Sequence, residues 1–126
     1  MGMVAAVAVG GALGSVARYA TMLWMARLFG GGFPYGTLAV NMVGGFVMGL
    51  LIEAMALAWS PSEAMRAFIA VGVLGGFTTF STFSLDSWLL IQRGDYGLAA
   101  LYIGASLLLS IGGLVAGLYL TRTVLA

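Results

Sequence analysis

Residues 96–121 read YGLAALYIGASLLLSIGGLVAGLYLT, 26 positions without a charge between Asp95 and Arg122. As an α-helix this run is about 39 Å long, more than the roughly 30 Å hydrocarbon core of a bilayer. A soluble helix of that length needs a charged or polar face, and this run has none. It reads as a membrane span. Working outward, residues 28–52 make a second uncharged run of 25, and residues 67–85 a third of 19. Residues 1–17 carry no charge before Arg18. Four spans are expected, at 3–27, 36–58, 65–91 and 97–121. The first and third each accept a charge near one end, which a long arginine does by snorkelling.

The punctuation between the runs agrees. Gly30, Gly31, Gly32 and Pro34 form a first loop, Ser60, Pro61, Ser62 and Glu63 a second, and Gln92, Arg93, Gly94 and Asp95 a third. Ser62 or Ser60 is placed to cap the third span. Trp24, Tyr35, Trp59, Trp88, Tyr96 and Tyr119 flank the spans as interfacial aromatics do. The first run has no cationic segment before it, so it reads as a span and not as a cleaved signal peptide. The chain is expected to be one four-helix transmembrane domain, 1–126, all-α and integral to the membrane.

Composition excludes much of the functional range. Hydrophobic residues are 62% and charged residues 7% of the 126, too few charges to coat a soluble domain. There is no cysteine and no histidine, hence no disulfide, thiolate metal site, imidazole base or Ser-His triad. A net charge of +1 offers no surface for nucleic acid. The chain does not read as an enzyme. Its expected partners are membrane lipid and copies of itself.

The arginines leave the orientation unset. Four spans put both termini on one side, with Arg66 and Arg122; Arg27 and Arg93 lie on the other. The positive-inside rule then selects neither direction. Either another feature sets the topology, or the chain inserts both ways and pairs as an antiparallel dimer. Each span also holds a Gly-xxx-Gly pair: Gly10/Gly14, Gly45/Gly49, Gly72/Gly76 and Gly113/Gly117. Such pairs let helices approach closely, although about three would arise by chance at this glycine content.

Polar chemistry concentrates in the third span. Five hydroxyl residues and two phenylalanines fill positions 78–84, directly after Gly75-Gly76-Phe77. The double glycine and the Ser/Thr cluster allow a helix break, whose freed carbonyls would have to be buried in protein or line a cavity. A continuous helix with hydroxyls bonded back to i−4 carbonyls is the other reading. Phe77, Phe80 and Phe83 recur every three residues and share a face, and a phenyl ring has a positive edge that can meet an anion. Ser81 and Thr82 are donors beside them. Asn41 stands alone in an apolar run of span two, either as interhelical glue or as a donor lining a path. Tyr102, Ser106 and Ser110 form an i, i+4, i+8 hydroxyl stripe on span four. Neutral donors and ring edges suit a small anion or neutral solute. A proton relay would need embedded Asp, Glu or His, and Glu53 and Asp86 lie nearer span ends.

The segments Gly10–Tyr19 (GGALGSVARY), Gly36–Asn41 (GTLAVN) and Gly75–Ser84 (GGFTTFSTFS) together resemble the CrcB/Fluc fluoride channel family. The resemblance runs over the whole chain, and the third segment is the most specific. It implies a dual-topology antiparallel homodimer in the cytoplasmic (inner) membrane, passively exporting fluoride through two pores and giving fluoride resistance. By the same resemblance Asn41 lines the pore, and Phe80 and Phe83 turn ring edges to fluoride. Ser81, Thr82, Tyr102, Ser106 and Ser110 make a polar track. A break in helix 3 would let the Gly75 and Thr78 carbonyls of both subunits hold a structural Na⁺. Arg18 corresponds to a vestibule arginine. Asp86 departs from the pattern, which has Glu there; a carboxylate shorter by one methylene reaches less far.

Two other classes fit the sequence less well. A small four-helix multidrug or cation exporter needs an acid in its first span, and residues 1–27 contain none. A non-transporting scaffold accounts for the glycines but not for Asn41 and the mid-span hydroxyls.

Overall fold

A computed structural model describes residues 2–126 of the chain. Among the described residues, five helices make four spans. They are α1 (Gly2–Phe29), α2 (Tyr35–Leu57), α3 (residues 63–77), α4 (Ser81–Gln92) and α5 (Tyr96–Leu125). The third span, Glu63–Gln92, is thus two helices in line, α3 and α4, so it is broken and not continuous. All four spans are long and apolar enough to cross a membrane, and no strand occurs among the described residues. The expected bounds agree with these to within a few residues, because charges and turn residues stop the spans.

The stops are local. Gly30 closes α1 with φ 76°, its N–H donating to the Ala26 carbonyl at 2.8 Å. Gly94 turns the chain between α4 and α5 with φ 82°. Both need left-handed backbone, which glycine adopts without a Cβ penalty. Of the two candidate caps, Ser62 takes the role: its Oγ accepts from the Met65 N–H at 3.1 Å.

The glycine pairs act two by two, something their count alone did not show. On α1, Gly10 and Gly14 lie against Gly72 and Gly76 of α3. A Cβ at Gly10 would strike the Phe68 carbonyl, and one at Gly14 the Val73 carbonyl. On α2, Gly45 and Gly49 lie against Gly113 and Gly117 of α5, facing the carbonyls of Ser110, Leu114, Met42 and Phe46. Helices in lipid gain no hydrophobic drive from meeting each other, so backbone-to-backbone packing of this kind supplies the attraction. Residues Ala67–Leu74 of α3 are wound in wider i→i+5 turns, and these lie along the contact with α1.

Two arginines tie the ends. Arg93 pairs with Asp95 at 2.9 Å and donates through Nη2 to the Gly32 carbonyl at 3.0 Å, joining the third loop to the first. Arg122 pairs with Glu53 at 3.3 Å, joining α5 to α2. Glu53 is buried at 7% exposure while the Arg122 side chain is half exposed. Substituting Arg122 by Ala leaves a buried carboxylate without its partner. The expected loss is about 1–3 kcal/mol, below that of a fully buried pair because water reaches the guanidinium. Thermal unfolding in detergent, compared with Glu53→Gln, measures it; equal midpoints for Arg122→Ala and the parent protein would refute the pairing as a stabilising contact.

Candidate functional site

The site begins at the helix break. Thr78 is extended (φ −87°, ψ 161°), and helix resumes at Ser81. Broken backbone at this depth must find partners inside the protein. Asn41 of α2 supplies two of them. Its Oδ1 accepts the Thr79 N–H at 2.8 Å and its Nδ2 donates to the Thr79 carbonyl at 2.9 Å. Thr79 then caps α4: its Oγ1 accepts the Thr82 N–H at 3.1 Å.

These substitutions divert particular amides. In an unbroken helix the Gly75 carbonyl would receive the Thr79 N–H, and the Thr78 carbonyl the Thr82 N–H. Both donors are engaged elsewhere. The Gly76 carbonyl is met by Arg18 Nε at 3.0 Å, a cation at the negative end of α3. Arg18 is half-buried against the break and lines neither the cavity beside the break nor the one under the first loop. Back-bonding also occurs, at the break and after it: the hydroxyl of Thr78 donates to the Leu74 carbonyl, and those of Ser84 and Ser87 donate to carbonyls four residues earlier.

A cavity of about 330 Å³ opens beside the break. Asn41, Gly75, Thr78, Phe80, Phe83, Ser106 and Ser110 line it together, and no charged side chain does. Ser106 is 4% exposed and its Oγ makes no well-formed hydrogen bond among the described residues, with the Tyr102 hydroxyl as its polar neighbour. A buried hydroxyl left unpaired costs on the order of 1–3 kcal/mol, so the position favours an incoming polar group. Phe83 is buried, whereas Phe80 is 74% exposed at the surface of the single chain. Ser81 is exposed, 3.3 Å from the Thr79 hydroxyl, and Thr82 is half-buried; neither lines the cavity.

A second cavity, of about 260 Å³, lies under the first loop. Its lining includes Phe33, Thr37, Asp86 and Arg93. Asp86 Oδ2 accepts from the Thr37 hydroxyl at 2.6 Å and from the Tyr102 hydroxyl at 3.1 Å. The short carboxylate therefore reaches partners on both α2 and α5. Tyr102 is fully buried between the cavities. Its ring lies 5.4 Å from Phe83 on one side and 5.5 Å, edge to face, from Phe33 on the other. The row continues from Phe83 to Phe80 at 5.5 Å, and from Phe33 through Tyr35 to Phe29 at 4.9 and 4.8 Å.

Sequence reasoning named most of the polar and aromatic lining of the first cavity but missed Thr79 there, and Thr37 and Phe33 at the second. Thr37 carried a usable signal: it sits four residues before Asn41, on the same face of α2. Thr79 matters through its backbone, which no residue pattern announces.

A sequence profile of the family described as CrcB-like protein, Camphor Resistance (CrcB), matches residues 5–118. Among curated relatives, the chain is 54% identical over 126 residues to the fluoride-specific ion channel FluC of Rhodospirillum centenum, covering 100% of both chains. It is 55% identical over 121 residues to the protein of that name from Agrobacterium fabrum, covering 96% of this chain and 97% of the relative. For the one from Caulobacter vibrioides the figures are 53% over 121 residues and 95% of each.

Proposed function

Because the chain belongs to the CrcB-like family, we propose that it is a fluoride-specific ion channel, passing fluoride down its gradient and out of the cell. It is a multi-pass membrane protein and a channel, not an enzyme. The observation that carries the reading to this chain's own residues is Ser106, a buried hydroxyl without a well-formed hydrogen bond in a cavity that holds no charge.

Fluoride is small and strongly hydrated, so a path must replace its water with close donors. Ser106 and Ser110 offer hydroxyls. Asn41 has two amide hydrogens, and Thr79 uses one, leaving the other for the cavity. Phe80 and Phe83 offer positive ring edges. None of these is a fixed cation that would trap the ion, and several weak sites in series let it leave again. Ser81, Thr82 and Tyr102 continue the track on either side. A multidrug or cation exporter is less well supported: Glu53 is paired with Arg122, and Asp86 is held by two hydroxyls.

The working unit in this reading is an antiparallel pair of chains in the cytoplasmic membrane. Phe80 and Gly75 lie at the exposed surface beside the cavity, so a second copy would complete its wall. The arginine balance leaves both orientations open. The same pairing bears on the structural Na⁺. The Gly75 and Thr78 carbonyls lack helical donors, which fits a small hard cation, and two copies would contribute four oxygens. A bound Na⁺ would supply positive charge to offset these carbonyl dipoles. Arg18 holds the neighbouring Gly76 carbonyl out of that set.

Fluoride and chloride efflux from proteoliposomes, without a pH gradient, tests the function; retained fluoride would refute it. Orientation is tested separately, since the chain has no cysteine. With Ala126→Cys, an impermeant thiol reagent is expected to label about half of the chains in sealed cells. Labelling of all or none would exclude dual insertion.

A further inference from the structure

We infer that Gly44 is a positioning residue for the ion path, an empty socket on α2 that seats the Thr78 methyl and so fixes how the chain leaves α3 at the break; this rests on the channel reading above. Gly44 is buried, and a Cβ there would strike Thr78 Cγ2. Its next obstacles are also side-chain atoms, Phe77 Cδ2 at 3.5 Å and Thr78 Cβ at 3.7 Å. The paired glycines differ: Gly45 and Gly49, on the same helix, face backbone of α5. What Gly44 makes room for is one side chain at the break. Both Gly44 and Thr78 line the first cavity.

Thr78 is not free to turn its methyl aside. Its Oγ1 and its N–H both donate to the Leu74 carbonyl at 3.0 Å, and a β-branched side chain is stiff at χ1. Rotating χ1 to clear a new methyl would take Oγ1 away from Leu74. Shifting the backbone instead would disturb the residue whose ψ of 161° turns the chain out of α3. The next residue, Thr79, is held by Asn41, which lies three positions before Gly44 on the same face of α2. Four positions before Asn41, Thr37 donates to Asp86 of α4. One face of α2 thus meets the broken span at three successive turns, at Asp86, at Thr79 and at Thr78. Asn41 grips backbone, and Gly44 sets the distance of Thr78 from α2. Phe80, on the cavity wall, follows directly. A methyl at position 44 would push Thr78 off this face and change the cavity between α2 and the break.

Single-channel fluoride current in planar bilayers tests this with the full chain, because it reads the path inside one folded channel and not how many channels fold. Gly44→Ala is expected to lower that current about tenfold or more, the scale on which residues in contact couple. Thr78→Ser removes the methyl and keeps the hydroxyl for Leu74, so its current is expected to stay close to that of the parent protein. In the double variant, Gly44→Ala with Thr78→Ser, the new methyl takes the space the old one left. Its current is expected to return to the level of Thr78→Ser alone. A double variant that conducts as poorly as Gly44→Ala overturns the socket, and so does Gly44→Ala with the parent's current. If Gly44→Ala does not purify as the parent does, the double variant decides. Current at the Thr78→Ser level then supports the socket, and a lower current or a failure to purify overturns it. A parent protein that carries no fluoride current overturns the channel reading instead, so the two failures are distinguishable.

Discussion

Replacing Asn41 by Asp is expected to suppress fluoride efflux by at least about 100-fold while the protein still folds and purifies. The two side chains have the same shape. Asp keeps an oxygen for the Thr79 N–H, so half of the clamp on the break survives. It loses the donor to the Thr79 carbonyl and places a negative charge on the wall of the cavity. At an effective dielectric of about 20, two like charges about 5 Å apart repel by about 3 kcal/mol, a factor of more than about 100 in ion occupancy. Asn41→Ala separates the two duties. It adds no charge but strips both partners from Thr79, leaving two backbone groups unpaired at about 1–3 kcal/mol each. Its expected signature is lowered thermal stability, with the break poorly held. Efflux measured with a fluoride electrode, beside size-exclusion profiles, distinguishes these outcomes. Efflux of Asn41→Asp within a few-fold of the parent would show that Asn41 does not border the ion's path.

The same Gly→Ala substitution is expected to have opposite effects at two positions. At Gly49 the new methyl would strike the Leu114 carbonyl and come within 2.9 Å of the Leu118 nitrogen. The obstacles are backbone atoms of α5, which cannot rotate away, so α2 and α5 must separate. Overpacking of side chains costs about 1–3 kcal/mol, and against backbone the upper end or more is expected. The cost extends along the interface, because Gly45, Gly113 and Gly117 depend on the same separation. At Gly104 a Cβ meets nothing within 4 Å, and Ala there should be neutral or stabilise by up to about 1 kcal/mol through helix propensity. Thermal melts of both variants in one detergent provide the check. Equal melting points would mean that α2 and α5 do not meet at their glycines.

Most of the polar and aromatic lining of the first cavity is legible in the residue pattern. Asn41, Phe80, Phe83, Ser106 and Ser110 are polar or aromatic residues in apolar runs, and the polar ones stand out because lipid penalises them. Their roles are less legible. Asn41 lies open between glue and pathway donor on sequence grounds, and in the fold it both clamps Thr79 and lines the cavity, since an amide has more than one hydrogen to give. The hydroxyl cluster lies open between a break and back-bonding. The break occurs at 78–80 because Asn41 and the Thr79 hydroxyl replace the missing helical bonds, while the serines after it bond back as in a regular helix. Asp86 is doubtful on length alone. Thr37 and Tyr102 come to it, so its shorter reach suffices.

The four spans and their ends followed from the sequence by itself. Bilayer thickness and the cost of charge in lipid act on each segment independently of the others. Which glycine pair meets which, where Thr79 finds its partners, and how Phe33 comes to cover Tyr102 were decided only by tertiary structure. These are contacts between segments 38 to 69 residues apart or across helix faces, and no periodicity within one span encodes its neighbour. Residues 96–121 announced a span by lacking any charge, but only packing against α2, α4 and the first loop made Tyr102 and Ser106 interior groups, one hydrogen-bonded and one left open.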